Sequence, residues 1–232
     1  MAVMLLPGLG EAEPPPVVRA GLTLALTVLL VPAVAPLVPA VPEAGFGGAV
    51  MVGTELLVGG LLGWLARLPV LALGMAGAVV SYMLGLSSVV QQDPALGGQS
   101  AAMSRLFGLV APVLIFSAGL YALPLTALAG SYTLIPPGSV LPAGALAESF
   151  TGALVACFVL AIRLSAPFLL AGLVFQVALG LLARLVPQLQ VYTAAMPGQI
   201  LGGIVLLGVL ASQILGAWTE ATSAAWSVLP GL

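Results

Sequence analysis

Long apolar runs with almost no charge constrain this chain more than any other feature. Of its 232 residues, only five are basic, all of them Arg, and seven are acidic. A soluble domain usually carries about 25 % charged residues, whereas charged residues make up 5 % of this chain. So few charges cannot cover a water-facing surface, which excludes cytosolic globular enzymes and secreted disulfide scaffolds. We therefore predict an integral membrane protein, residues 1–232 forming one membrane-embedded domain.

The apolar runs predict helices rather than the strands of a barrel. A membrane barrel needs strands of about ten residues in which apolar and polar side chains alternate. This chain has unbroken runs of Leu, Ala, Val and Gly instead, and Leu and Ala favour helices. The predicted fold is an all-α, polytopic helical membrane protein. The candidate spans are Val17–Val41, Phe46–Ala66, Leu68–Val90, Leu106–Ala129, Phe150–Leu182 and Val191–Trp218.

Proline and glycine predict where these spans end. A proline removes a backbone donor and glycine admits positive φ, so we expect turns at Val41–Gly45 and at Arg67-Leu68-Pro69. Polar and Pro-Gly-rich stretches predict two longer loops, Gln91–Arg105 and Gly130–Glu148. The run Phe150–Leu182 exceeds the roughly 20 residues that cross a bilayer core, so it must bend, tilt or leave the bilayer.

No catalytic, cofactor or metal motif is visible. The chain has no His, which excludes a Ser-His-Asp triad and His ligands for a metal. No phosphate-binding glycine loop is present, and a net charge of −2 argues against nucleic acid. The lone Cys157 is read as a small core residue. We expect no enzyme activity and no cofactor.

Two charged residues lie inside predicted spans. A carboxylate inside a span is costly, so Glu55 is either a proton site or a group satisfied by a neighbouring helix or an Arg. Arg163 is the natural partner for Glu55 or for a neighbouring subunit, and otherwise a residue that extends to the membrane surface.

Pairs of glycines four residues apart predict close helix packing. Gly59 with Gly63, and Gly198 with Gly202, form GxxxG patterns. Small residues at this spacing let helix backbones approach closely in membranes, although each pair alone is a weak signal.

One stretch carries a specific resemblance. Leu179–Tyr192, which includes Arg184, Pro187 and Gln188, is followed by Met196-Pro197-Gly198-Gln199-Ile200. Together they resemble the FliR family of flagellar biosynthetic proteins, which includes matching export-gate subunits of virulence type III secretion systems. Further pieces in family order are Leu6–Gly8, Pro16–Leu22, Glu55–Gly59, Gly85–Ser87, Asp93-Pro94, Leu134–Gly138 and Ala166–Leu170. Family members begin about one helix earlier, so the resemblance implies that this sequence starts within the first family helix.

The resemblance implies a subunit of the export gate in the bacterial inner membrane, within the flagellar basal body. The expected architecture is FliP-type and FliQ-type helical hairpins fused in one chain. FliP-like, FliQ-like, FlhB-like and FlhA-like components are the expected partners. Unfolded flagellar proteins are the implied cargo.

The resemblance also places a plug in residues 84–100, which we call the plug segment. Its polar residues and glycines suit a hinged closure, although the residues alone fit an ordinary solvated loop. Some relatives have aromatic side chains where this chain has Ser88 and Gln91, so closure would rest on apolar residues instead. The candidate plug residues are Leu84, Gly85, Leu86, Ser88, Val89, Val90, Gln91, Asp93 and Pro94.

The sequence thus predicts a channel-forming subunit of a flagellar protein export gate. A virulence injectisome gate keeps the same fold and is the close alternative. A small proton-coupled transporter using Glu55, or a passive scaffold, are alternatives of other kinds.

Overall fold

The computed structural model describes residues 2–10, 15–39, 45–86, 102–139, 141–185 and 191–232. Within these ranges every regular element is helical. A 3-10 turn over Ala35–Leu37 extends the second helix. The helices are α1 Ala2–Leu5, α2 Pro16–Val34, α3 Gly45–Met83, α4 Ala102–Ser117, α5 Ala122–Leu134, α6 Ala143–Leu185 and α7 Val191–Trp226.

Four of the described helices are long and apolar enough to cross a membrane, and a fifth span results if the bent pair α4–α5 crosses as one. The chain is therefore a polytopic helical membrane protein, as the sequence predicts. The number differs from the six spans expected because two of those spans are one helix, α3.

The predicted turn at Arg67-Leu68-Pro69 is wrong, because α3 is a continuous helix of 39 residues with Pro69 inside it. Proline is tolerated in membrane helices where neighbouring groups satisfy the backbone carbonyls near it. Two buried side chains donate to carbonyls within one turn of Pro69. The Trp226 indole Nε1 donates to the Ala66 carbonyl at 3.0 Å, and Cys157 Sγ lies 3.1 Å from the Leu68 carbonyl oxygen, to which it donates.

The predicted span Leu106–Ala129 is not a single continuous helix. Its two parts, Met103–Ser117 and Ala122–Leu134, are bent by 73°. Gly119 lies in the break with a φ of 68°, a left-handed conformation that glycine adopts without steric cost. The apolar run continues through the break, so hydropathy alone did not reveal it.

The last two helices are longer than expected. α6 has 43 residues, about twice the number that crosses a bilayer core, and Pro167 lies inside it. α6 begins at Ala143, and α5 ends at Leu134. The connection between them is therefore shorter than the predicted loop 130–148. The turn expected at residues 41–45 lies largely outside the described residues.

Two compact units divide the chain. Unit 1 comprises Met1–Val70, Ala111–Cys157 and Ala221–Leu232. Its core includes Trp226, which is fully buried. Close backbone approaches hold its parts together: a Cβ on Gly63 would collide with Leu5, and one on Gly130 would collide with the Gly231 carbonyl.

Unit 2 comprises Leu71–Val110 and Phe158–Glu220. Its core includes the fully buried Trp218 and Phe168. The end of α3 packs closely on α4, since a Cβ on Gly77 would lie 2.8 Å from the Met103 carbonyl oxygen. This unit contains the root of the plug segment.

Candidate functional site

The plug segment begins where α3 ends. Met83 is the last residue of α3, and the Leu84 amide donates to the Val80 carbonyl at 2.9 Å. Gly85 follows with a φ of 71°, the left-handed conformation that commonly terminates helices. Leu84, Gly85 and Leu86 are described. The remaining predicted plug residues lie outside the described residues: Ser88, Val89, Val90, Gln91, Asp93 and Pro94.

A glutamine from α7 holds this helix end. The Gln199 side-chain Nε2 donates to the Met83 carbonyl oxygen at 2.7 Å. The last carbonyls of a helix lack an intrahelical partner, so this bond satisfies one of them. A Cβ on Gly85 would lie 3.6 Å from the Gln199 amide carbon, an ordinary contact distance, so it is the positive φ that favours glycine there. We call the Gln199–Met83 hydrogen bond the clasp.

Glycines on α6 and α7 leave space for the side chains of the residues next to the clasp. Leu84 is 4 % exposed and occupies the space that a Cβ on Gly203 would need. The Met83 sulfur would lie 2.7 Å from a Cβ on Gly172. The same residues border a largely apolar cavity of about 270 Å³, whose other lining residues include Phe168, Phe175 and Leu206.

Glu55 lies near Tyr132 within unit 1. Its half-buried side chain is close enough to the Tyr132 phenol of α5 for the two groups to interact electrostatically. The neighbouring Thr54 Oγ1 accepts a hydrogen bond from the Gly138 amide at 3.2 Å. Arg163 belongs to unit 2 and is exposed. Its pairing with Glu55 or with another subunit stays a prediction.

The family-signature residues are only partly described. Arg184 is exposed in the last turn of α6, and Pro197 is exposed inside α7. Pro187 and Gln188 lie outside the described residues.

The two GxxxG patterns differ in their surroundings. Gly59 and Gly63 are buried, and α1 packs on Gly63. Gly198 and Gly202 border the cavity, and a Cβ on either would meet open space. Their role in helix packing stays a prediction.

Sequence reasoning missed the clasp. Gln199 belongs to the motif Met196–Ile200, but its partner Met83 lies 116 positions away in the sequence. No sequence periodicity connects the two residues. Gly172 and Gly203 were two of 29 glycines. The available signal was an amide side chain inside a largely apolar part of α7, where a polar group needs a partner.

The described residues of this arrangement provide hydrogen bonds and close packing. Among the described residues, no cluster of three His, Cys, Asp or Glu could hold a metal ion.

Comparison with known proteins covers nearly the whole chain. Residues 1–225 match the family described as bacterial export proteins, family 1. The flagellar biosynthetic protein FliR of Caulobacter vibrioides is 30 % identical over 220 residues, which are 94 % of this chain and 87 % of that protein. FliR of Escherichia coli is 28 % identical over 208 residues, covering 88 % and 77 %.

A virulence protein is similar to the chain as well. The Yop proteins translocation protein T of Yersinia pestis is 28 % identical over 205 residues, which are 88 % of this chain and 78 % of that protein. The family match runs from α1 to the penultimate residue of α7. This chain therefore belongs to family 1 of the bacterial export proteins.

Proposed function

We propose that this chain is a non-enzymatic, channel-forming subunit of the flagellar type III protein export gate in the bacterial inner membrane. The observation that carries the proposal is the similarity to flagellar FliR over 94 % of the chain. Its role is to enclose a conduit in the flagellar basal body for unfolded flagellar proteins, so that the flagellum can be assembled. Energy comes from other components.

FliP-like and FliQ-like subunits are the proposed partners within the gate, with FlhB-like and FlhA-like components beside it. Broad apolar faces on single helices support this assignment. α2 is almost entirely exposed within the described residues, and α6 and α7 present many exposed large apolar side chains. Such faces need lipid or apolar neighbours to cover them.

Residues 84–100 are the proposed plug of the conduit. Closure is steric, with Leu84, Leu86, Val89 and Val90 supplying apolar contacts. The described root of the segment supports this role, because the clasp and the buried Leu84 fix the point at which the chain leaves α3.

The decisive experiment is affinity purification of the tagged chain from membranes of its source bacterium, followed by identification of co-purifying membrane proteins. Recovery of FliP-like and FliQ-like subunits is expected. A chain that purifies alone while the flagellum is assembled would contradict the proposal.

Deleting residues 84–100 tests the plug. The cells should become permeable to small solutes while the chain still co-purifies with its partners. Unchanged permeability in a variant that assembles normally refutes the plug assignment.

A virulence secretion gate is the second candidate, favoured by the similarity to the Yersinia protein. The two candidates differ in the proteins they export. Loss of the chain should remove flagellar filament proteins from the medium if the gate is flagellar, and secreted effectors if it is a virulence gate. A proton-coupled transporter would instead move its substrate as a purified single chain.

A further inference from the structure

A line of exposed apolar side chains runs along the part of α6 that belongs to unit 2. Leu170, Val174, Val177 and Leu181 are each more than half exposed. Their spacing of three or four positions places them on one side of the helix, which is the pattern with which one helix packs along another. The same line continues backwards through Arg163 to the exposed Val159. We call these six residues the α6 stripe.

Arg163 is the one charged member of the α6 stripe. It lies one turn after Val159 and two turns before Leu170, and its side chain is exposed. Within the described part of the chain it makes no hydrogen bond or ion pair. Glu220 is the only carboxylate among the described residues of unit 2, and it already has an interaction of its own. Because an arginine among apolar residues of a membrane helix is costly without an acceptor, its acceptor must come from elsewhere.

Lipid alone cannot cover this helix. α6 has 43 residues, about twice the number that crosses a bilayer core, and Arg163 lies near its midpoint. Exposed large apolar side chains occur on both sides of that midpoint, such as Phe158 before it and Leu170 after it. A lipid phosphate at Arg163 would leave one half of α6 outside the acyl chains, with its apolar side chains in water. A neighbouring helix can instead run past Arg163 in both directions and cover both halves.

A second copy of this chain does not fit the α6 stripe. Two parallel copies of α6 would bring Arg163 against Arg163. The only carboxylate in α6 is Glu148, which lies 15 positions before Arg163. An antiparallel pair with Arg163 opposite Glu148 would place Leu170 opposite position 141, before the second helix begins at Ala143. The stripe from Leu170 onward would then stay uncovered.

We propose that the α6 stripe is the interface for a helix of a different membrane protein, and that this helix carries an Asp or Glu opposite Arg163 in an otherwise apolar face. A single charged position within an apolar seam fixes the register of two helices, since any slip leaves the charge without its acceptor. The interface is inferred from this chain alone. Only the identity of the neighbour, a FliP-like or FliQ-like subunit, rests on the proposed function.

Site-specific photo-crosslinking in the source bacterium tests the occupant of the stripe. The photoreactive amino acid p-benzoylphenylalanine is placed at position 170 of the full-length chain, and the crosslinked peptide is sequenced. The expected peptide comes from another membrane protein and contains an Asp or Glu within an apolar helix. Crosslinks to a second copy, to lipid only, or to a peptide without a carboxylate would overturn the proposal. Position 176 is the matched control, because Gln176 is exposed on α6 but lies off the stripe, and it should not give this product.

Charge variants test the role of Arg163 in the same assay. Arg163→Glu should lower the crosslinked product at least about tenfold, because two carboxylates would then face each other. Arg163→Lys keeps a cation and should stay within about threefold of the wild type. Arg105→Glu is the control, because Arg105 is exposed on α4, and it should leave the product unchanged. Replacing the neighbour's carboxylate with Lys should restore the product in Arg163→Glu.

Thermal unfolding of the detergent-purified chain separates loss of the interface from loss of the fold. Arg163→Glu should unfold at the wild-type temperature, since Arg163 is exposed in the chain itself. Where that variant fails to fold, the crosslink at position 170 in the otherwise wild-type chain still decides the proposal. Equal product in Arg163→Glu and the wild type would refute the ion pair. A neighbour that carries the carboxylate but is no export component would count against the proposed function and leave the interface standing.

Discussion

Replacing Gln199 with Leu should loosen the end of α3. The substitution removes the donor that lies 2.7 Å from the Met83 carbonyl oxygen and keeps a side chain of similar size. Interhelical hydrogen bonds in membrane proteins contribute about 0.6 to 1.7 kcal/mol. Losing one such bond should raise the population of the opened helix end by about 3- to 20-fold, since RT is about 0.6 kcal/mol.

Amide hydrogen exchange followed by mass spectrometry measures this opening directly. The amides of Leu84 and Gly85 donate to the carbonyls of Val80 and Tyr82, so they exchange only when the helix end opens. A peptide that covers residues 80–86 should therefore exchange about 3- to 20-fold faster in Gln199→Leu.

Gln213→Leu provides the control, because Gln213 lies on the same helix α7 and is exposed. It should leave the exchange of residues 80–86 unchanged. Equal exchange in Gln199→Leu and the wild type would refute the reasoning, since the clasp would then contribute nothing to holding the helix end.

Other substitutions test the packing of unit 1 by thermal unfolding in detergent. Trp226→Phe removes the indole donor beside the proline of α3 and should lower the unfolding free energy by about 1 kcal/mol, whereas Trp64→Phe, at an exposed position, should have little effect. Gly130→Ala forces a Cβ against the backbone of the C-terminal turn and should destabilise by about 1 to 3 kcal/mol. Gly152→Ala meets open space on a helix and should stabilise by about 0.5 to 1 kcal/mol. A neutral or stabilising effect of Gly130→Ala would contradict the packing described for Gly130.

The sequence predicted the class of fold because the physics behind it is local. Runs of apolar residues with almost no charge leave only membrane helices, whichever way the helices pack. The bounds of the spans depended on tertiary packing and were less predictable. The sequence alone predicts a helix end at Pro69. In the structure α3 continues, and Trp226 and Cys157, both distant in sequence, donate to carbonyls near this proline.

For the candidate site, the sequence predicted its position in the chain but not its polar contacts. Gly85 takes a left-handed conformation directly after α3, and its role as a hinge of the plug segment stays a prediction. The polar contacts were out of reach, because each joins groups distant in sequence. Glu55 meets Tyr132, and Gln199 meets Met83, through packing of separate helices.

The bond from Trp226 to the Ala66 carbonyl joins residues 160 positions apart. A ribosome makes the chain from its N-terminus, so α3 enters the membrane long before its indole donor has been synthesised. The Ala66 carbonyl therefore receives this bond only at a late stage of synthesis. Unit 1 is thus completed only after residue 226 has been synthesised, and a nascent chain stalled before it lacks the donor that reaches the Ala66 carbonyl.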